Sequence, residues 1–577
     1  MDNPPVYSDY HKKRSVSSYS LDYVPPSANL IMNGSTAAKS IQPTVGEHPY
    51  TITSSTMSTP NGNGAIVGNG TLGDHFEQDY DPFANRDKSK ATTDSGALLH
   101  LIKSSLGSGI LAMPSAFKNS GLIFGLFGTI AIGTLCTHCI YLLVVCSQVL
   151  SKRVKTPSLG FADTAAVAFE TGPPRYRGWA PFAREFVNAA LFATYYFGNT
   201  VYVVLIAASF KQVFDNHVDE QYHWPVQVWI LLLALPLVPL GIIRTLKVLV
   251  PFSAIATTFI MLGLASTMYF VVTGESFITS AELRSSADYV GAKPLPSVDS
   301  RPWIASLSQM PLFFSTVLFA MEGIGTVLPI ENSMEHPQRF LKKFGVLNSS
   351  MVLVVTLYTV AGFLGYLRFG PFTDGSITLN LPNDVFAELV KIMVALSIMF
   401  SYGLQFCVPS EIMWKRLEPV LRRRRELKRK RKGIPSADLP SVVTPPSMDF
   451  AYYTMRGSMI LGTILIAALV PDLAPFISLI GSIFFSILGL FCPAVIHIIT
   501  FWSDGTDGGD KRQHNSRFVF WKNILVIIVS LVALVAGTYA SMIDIVAFYH
   551  GGSGGGAHGG PSAGLNATVA SSSHSAV

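Results

Sequence analysis

The sequence predicts an all-α integral membrane protein with eleven transmembrane helices, and three observations carry that expectation. Of the 577 residues, 49% are hydrophobic and only 14% are charged, whereas soluble domains carry about 25% charge. The apolar residues gather in eleven windows, each of roughly 20 residues, the length at which a helix crosses a bilayer core of about 30 Å. Lys and Arg fall on one side of the predicted bundle: the alternate loops that share a side with the N-terminus hold 25, the opposite loops and tail only 5. The positive-inside rule then places the N-terminus in the cytosol, and an odd number of spans places the C-terminus outside or in a lumen.

Residues 1–90 are polar, rich in Ser, Pro, Asn and Gly, and too poor in apolar residues to offset the entropy of ordering, so a disordered cytosolic tail is expected. No apolar h-region stands there, which predicts that no signal peptide is cleaved and that the first helix doubles as the targeting signal. Tyr80-Asp81-Pro82-Phe83 fits a tyrosine-based sorting pattern, an extended peptide for an adaptor, although four-residue matches also arise often by chance. Cytosolic signalling or adaptor partners would bind on this tail.

A transmembrane domain follows over 91–549, with spans expected at 97–117, 121–150, 185–213, 226–243, 248–272, 303–330, 345–367, 384–411, 452–470, 474–500 and 518–549. Residues 550–577 contain a Gly-Gly-Ser-Gly-Gly-Gly run from Gly551 and read as a flexible extracellular or lumenal tail. Within it Asn566-Ala567-Thr568 is a glycosylation sequon. Between spans 8 and 9, Arg422 to Arg425 and Lys428 to Lys432 form a basic cluster, expected to be an orientation signal in a solvated loop, with attraction to anionic lipid head groups as the alternative. Cys136, Cys139, Cys146, Cys407 and Cys492 all fall inside predicted helices. They read as small packing residues, and no metal site is expected, because the one CxxC has no second pair or His cluster beside it.

The chemistry lies in two segments. Span 1 contains Gly107-Ser108-Gly109-Ile110 ahead of Pro114, and span 6 contains Glu322-Gly323-Ile324-Gly325-Thr326 ahead of Pro329. Glycine weakens a helix and proline removes a backbone hydrogen bond, so both segments are expected to unwind in mid-membrane. The second lies five spans after the first, which is the spacing of an inverted repeat of five plus five helices whose broken helices line a central site. A half-helix N-terminus suits a carboxylate and unwound carbonyls suit an ammonium group, and an amino acid carries both. Close packing of small residues between helices is the alternative reading of the same glycines.

Ionisable residues inside a span are functional candidates. His100 and Lys103 share a face of span 1, and Glu322 directly precedes the second Gly-x-Gly. His100 or Glu322 could bind and release a driving proton; an interfacial histidine and a snorkelling lysine are the plainer readings of the pair on span 1. Lys391, His138 and His497 read as structural.

The stretch His100-Leu101-Ile102-Lys103-Ser104-Ser105-Leu106-Gly107-Ser108-Gly109-Ile110-Leu111-Ala112-Met113-Pro114, with Ala116 to Gly121 after it, resembles the signature of the proton-coupled amino acid transporters of the amino acid/auxin permease group. Met321 to Gly325 and Leu328 to Asn332 resemble that family's sixth helix, and the likeness, to an insect-like member, runs from about Tyr80 to Tyr549. It implies an eleven-helix fold of the LeuT type with discontinuous helices 1 and 6. It also implies symport of small neutral amino acids with protons at the plasma membrane or lysosome, with His100 in the place of the family's coupling histidine. Ser104 stands where Gly is common and Ser108 where Thr is common, which leaves the substrate range open. Some relatives act as amino acid sensors, so a receptor with slow transport is the second reading; sodium could also replace the proton. No Walker A loop, HExxH or GxSxG is present, so no enzyme is expected. The positive net charge serves orientation and membrane lipid, with no nucleic acid partner and no cofactor beyond the proton.

Overall fold

A computed structural model describes residues 80–86, 91–243, 246–274, 294–321, 323–431, 446–470, 472–502 and 516–551. Asn566, Glu322 and nearly all of both expected tails lie outside the described residues. Apart from one isolated bridge between Thr92 and Met334, the described residues are helical or irregular.

The first span is two helices, α1 (Asp94–Ser105) and α2 (Gly109–Ser120), bent by 54° at the break between them. Helix α1 starts at Thr93, whose hydroxyl caps Gly96 N–H at 3.3 Å, with Asp94 favourably placed in the first turn. Helix α2 carries Pro114 at its middle, where the ring removes the helical bond to the Ile110 carbonyl, and it stops at Gly121, where φ is +83°. Next come α3 (Leu122–Arg153), α4 (Phe161–Thr171) and α5 (Ala180–Asp215). The window expected at 226–243 is two short helices, α6 (Val226–Leu232) and α7 (Ala234–Ile242), with Pro239 inside the second.

Helix α8 (Leu246–Thr273) precedes the second broken span, α9 (Met310–Ala320) and α10 (Ile324–Asn332). The remainder is α11 (Val346–Phe369), α12 (Val385–Gln405), α13 (Cys407–Arg431), α14 (Pro446–Leu469), α15 (Leu473–Ile480), α16 (Cys492–Thr500) and α17 (Ser516–Gly551). A π-helical stretch, Gly481–Phe491, joins α15 to α16.

Among the described residues nine helices are long and apolar enough to cross a membrane, or ten when the bent pair α1 and α2 counts as one. Val226–Ile242 is apolar but shorter. Arg422 to Arg425, expected in a loop, instead continue α13 as helix, with Arg422 Nε 2.8 Å from Glu418 one turn earlier. All five cysteines are buried and free.

Packing places the broken helices at the centre. Helix α2 packs on α9 and α11, and α1 on α10 and α11. One apolar core joins them to α3, α5 and the π-helical stretch. Burying polar groups in this setting demands partners, because lipid offers none.

Candidate functional site

The two breaks meet. At the first, Leu106 N–H donates to Ile102 O at 2.7 Å and Gly107 N–H to Ser105 O at 2.9 Å, so helical bonding ends there; it resumes when Leu111 N–H donates to Ser108 O at 3.1 Å. At the second, Met321 N–H closes α9 on Val317 O at 3.0 Å, and Thr326 N–H opens α10 on Gly323 O at 3.0 Å. The glycines of the first break let the two backbones touch. A Cβ built on Gly109 would stand 2.5 Å from Ala320 Cα and 3.0 Å from Ala320 O, closer than any side chain tolerates.

Side chains tie the breaks together. Thr326 Oγ1 lies 2.8 Å from Gly323 O and 3.1 Å from Ser104 Oγ on α1. Tyr358 of α11, fully buried, donates its hydroxyl to Ser105 O, the last carbonyl of α1. Helix α5 supplies the facing wall. Tyr195, Asn199 and Tyr202 recur at helical spacing on one face of it. The Tyr195 hydroxyl would meet a Cβ on Gly325 at 2.4 Å, and the Tyr202 hydroxyl sits 3.6 Å from the corresponding point on Gly107. Gln405, the last residue of α12, donates to the Tyr202 hydroxyl at 2.8 Å.

Three buried polar atoms at these positions lack a hydrogen-bond partner: Ser108 Oγ, Asn199 Oδ1 and Gln405 Oε1. A buried unpaired group of this kind is destabilising by about 1–3 kcal/mol, so a ligand or water that paired these three would be stabilising. Ser108→Ala, which removes one such atom, should raise the KM for the favoured substrate about fivefold, the equivalent of one hydrogen bond. Uptake kinetics at matched surface expression check this, and an unchanged KM would remove Ser108 from the site.

Of the residues singled out from sequence, Gly107, Ser108, Gly109, Gly323, Gly325 and Thr326 are brought together here. Ile110 is 2% exposed and belongs to the apolar core beside the break. Glu322 lies outside the described residues. His100 is half-buried on α1, seven residues before Gly107 and therefore about 10 Å away along the helix. Lys103, one turn on, donates to Ser253 Oγ of α8 at 2.9 Å. Lys391, fully buried, donates to Pro382 O at 3.4 Å, and His497 pairs with Asn523 at 2.9 Å, contacts that fix helices.

The Ser104 contact, both tyrosines and Gln405 escape a sequence reading. Each is an ordinary helical residue until the facing break is known. So does a second ionic feature at the end of α10. Glu331, fully buried, lies 3.3 Å from Arg86 Nη1 and 2.9 Å from Gln148 Nε2. Arg86 also reaches Pro157 O at 2.9 Å, and its guanidinium lies 5.1 Å from the centre of the Phe83 ring. Residues 80–86 close the segment read as tail, yet they pack against the bundle, and Asp81 caps a turn there by accepting from Phe83 N–H at 2.9 Å. Glu331 fell one residue beyond the span expected at 303–330, which is why a search for ionisable residues inside spans passes over it.

A multi-span helical bundle with two broken helices touching at their breaks defines a multi-pass membrane protein. The family described as "Transmembrane amino acid transporter protein" matches residues 90–543, and the chain belongs to it. It is accordingly an amino acid transporter by family and not an enzyme. Among its relatives, the proton-coupled amino acid transporter-like protein pathetic of Drosophila melanogaster is 38% identical over 472 residues, covering 82% of this chain and 89% of the relative. Amino acid transporter ANT1 of Arabidopsis thaliana is 26% identical over 454 residues, covering 77% and 91%.

Proposed function

We propose that this chain is a secondary active transporter that carries small neutral amino acids of the alanine, glycine and proline type together with protons. The observation that carries the reading is the contact between the two breaks beside three unpaired buried polar atoms. The α2 N-terminus would receive the substrate carboxylate, and carbonyls of the α9–α10 break its ammonium group. Gly107, Ser108, Gly109, Ile110, Glu322, Gly323, Gly325 and Thr326 would form that site. The closeness of the Tyr195 hydroxyl to Gly325 favours a substrate with a small side chain. The Drosophila relative is named as proton-coupled, which supports the proton as coupling ion here; His100 or Glu322 would carry it, with no other cofactor.

Counting Val226–Ile242 as a span would give eleven, and the position of the two breaks supports a LeuT-type five-plus-five repeat. The cytosolic tail, the lumenal or extracellular C-terminus with its Asn566 sequon, and residence in the plasma or lysosomal membrane belong to the same reading. The Arg86–Glu331 contact favours a second one: it joins the tail to a broken helix, as a transporter that also signals through cytosolic partners would require.

Substrate-evoked current and uptake with alanine, glycine and proline, in voltage-clamped cells without sodium, test the proposal. Inward current should grow as external pH falls, and His100→Ala should lose the acid stimulation while retaining binding. Current only with sodium would overturn proton coupling; binding without current, in protein shown to be at the surface, would favour the sensor.

A further inference from the structure

At the end of the bundle where α1 begins, a cavity of about 240 Å³ lies between the first turn of α1 and the segment that leads into α11. Asp94, Ser95 and Leu98 form one wall, and Arg339, Lys342 and Phe344 the other. We propose that this cavity binds the head group of an anionic phospholipid of the cytosolic leaflet, phosphatidylserine by class.

The chemistry of the walls is amphipathic in the order a lipid requires. Phe344 is 89% exposed, and Leu99 on α1 and Val352 on α11 are 65% and 68% exposed. In a membrane protein these side chains meet acyl chains at the start of a span. Lys342 and Lys343 directly precede Phe344, with the Lys343 ammonium 6.0 Å from the Phe344 ring centre. Cationic heads on apolar stems at this depth reach lipid phosphates.

Arg339 Nη1 donates to Asp94 Oδ2 at 2.9 Å, and Arg339 lines the cavity with further guanidinium N–H groups to offer. Asp94 Oδ1 is buried without a hydrogen-bond partner. A head group that carries both anionic oxygens and a donor would satisfy the two walls together, its phosphate or carboxylate on Arg339 and Lys342 and its ammonium on Asp94 Oδ1. Phosphatidylserine has all three groups; phosphatidic acid has no ammonium.

The site is distinct from the basic run on α13, whose Arg422 is paired with Glu418 on the same helix. Occupied, it would tether the first turn of α1, the half-helix that ends at the break, to the lead-in of α11. The leaflet assignment rests on the Lys and Arg asymmetry of the loops.

Native mass spectrometry of the full chain, released from nanodiscs of phosphatidylcholine mixed with phosphatidylserine or with phosphatidic acid, tests the proposal. The wild type should retain phosphatidylserine in preference to both other lipids. Lys342→Ala should lower that retention about fivefold, the effect of the roughly 1 kcal/mol that one basic residue adds at an anionic surface. Phe344→Ser should also lower it, and Arg423→Ala on α13 should not. Equal loss in Arg423→Ala, equal retention of phosphatidylcholine or phosphatidic acid, or displacement of the lipid by inorganic phosphate would each overturn the assignment.

Discussion

Gly109→Ala is expected to lower amino acid uptake about tenfold or more while the protein still reaches the membrane. The added methyl group would sit 2.5 Å from Ala320 Cα and 3.0 Å from Ala320 O, and both are backbone atoms that cannot rotate away. Relief requires the two breaks to move apart, and overpacking of this kind is destabilising by about 1–3 kcal/mol. The displacement falls where Ser104 and Thr326 bridge the helices, so it disturbs the site before it disturbs the rest of the bundle. Gly457→Ala on α14 is the control. No atom lies within 4 Å of a Cβ there, and the exchange removes only chain entropy. Normal uptake by Gly109→Ala, at surface levels equal to the control, would mean that the contact between the breaks carries no function.

The second large effect is expected at the other end of α10. Arg86→Leu leaves the Glu331 carboxylate fully buried with Gln148 as its remaining side-chain partner. Breaking a buried pair from one side is destabilising by about 3–5 kcal/mol, because the surviving charge has lost its compensation. The stress is relieved if the end of α10 opens to water, so residues 80–86 should detach. A nitroxide on exposed Ala84 should report this as a gain in mobility by paramagnetic resonance. The double variant Arg86→Leu, Glu331→Leu removes both charges and should restore the immobile spectrum. A label equally immobile in the single variant would show that the ion pair does not hold this segment.

Much of the candidate site is legible in the sequence because its cause is local. Glycine and proline alter the helix at the residue where they stand, so Gly107 to Gly109 and Gly323 to Gly325 mark the breaks without reference to anything else. The Ser108 hydroxyl beside the first break is visible for the same reason, although that it is unpaired is not. Arg86 and Glu331 were hidden for the opposite reason: 245 residues separate them, and neither carries a local signal for its partner. Arg422 to Arg425 were misread as loop because charge density indicates solvent, while Arg and Lys also extend a helix readily once it has left the apolar core.

The sequence by itself determined that this chain lives in a membrane and where two helices break. Each of these follows from the need of a backbone in lipid to satisfy its own hydrogen bonds, a demand written in composition and in single residues. Only the tertiary structure decided that Tyr195, Tyr202 and Gln405 face those breaks, that Thr326 reaches Ser104, and that Glu331 closes on Arg86. Those contacts depend on the rotation and crossing of helices distant in the chain. Uniformly apolar spans leave that arrangement to side-chain packing.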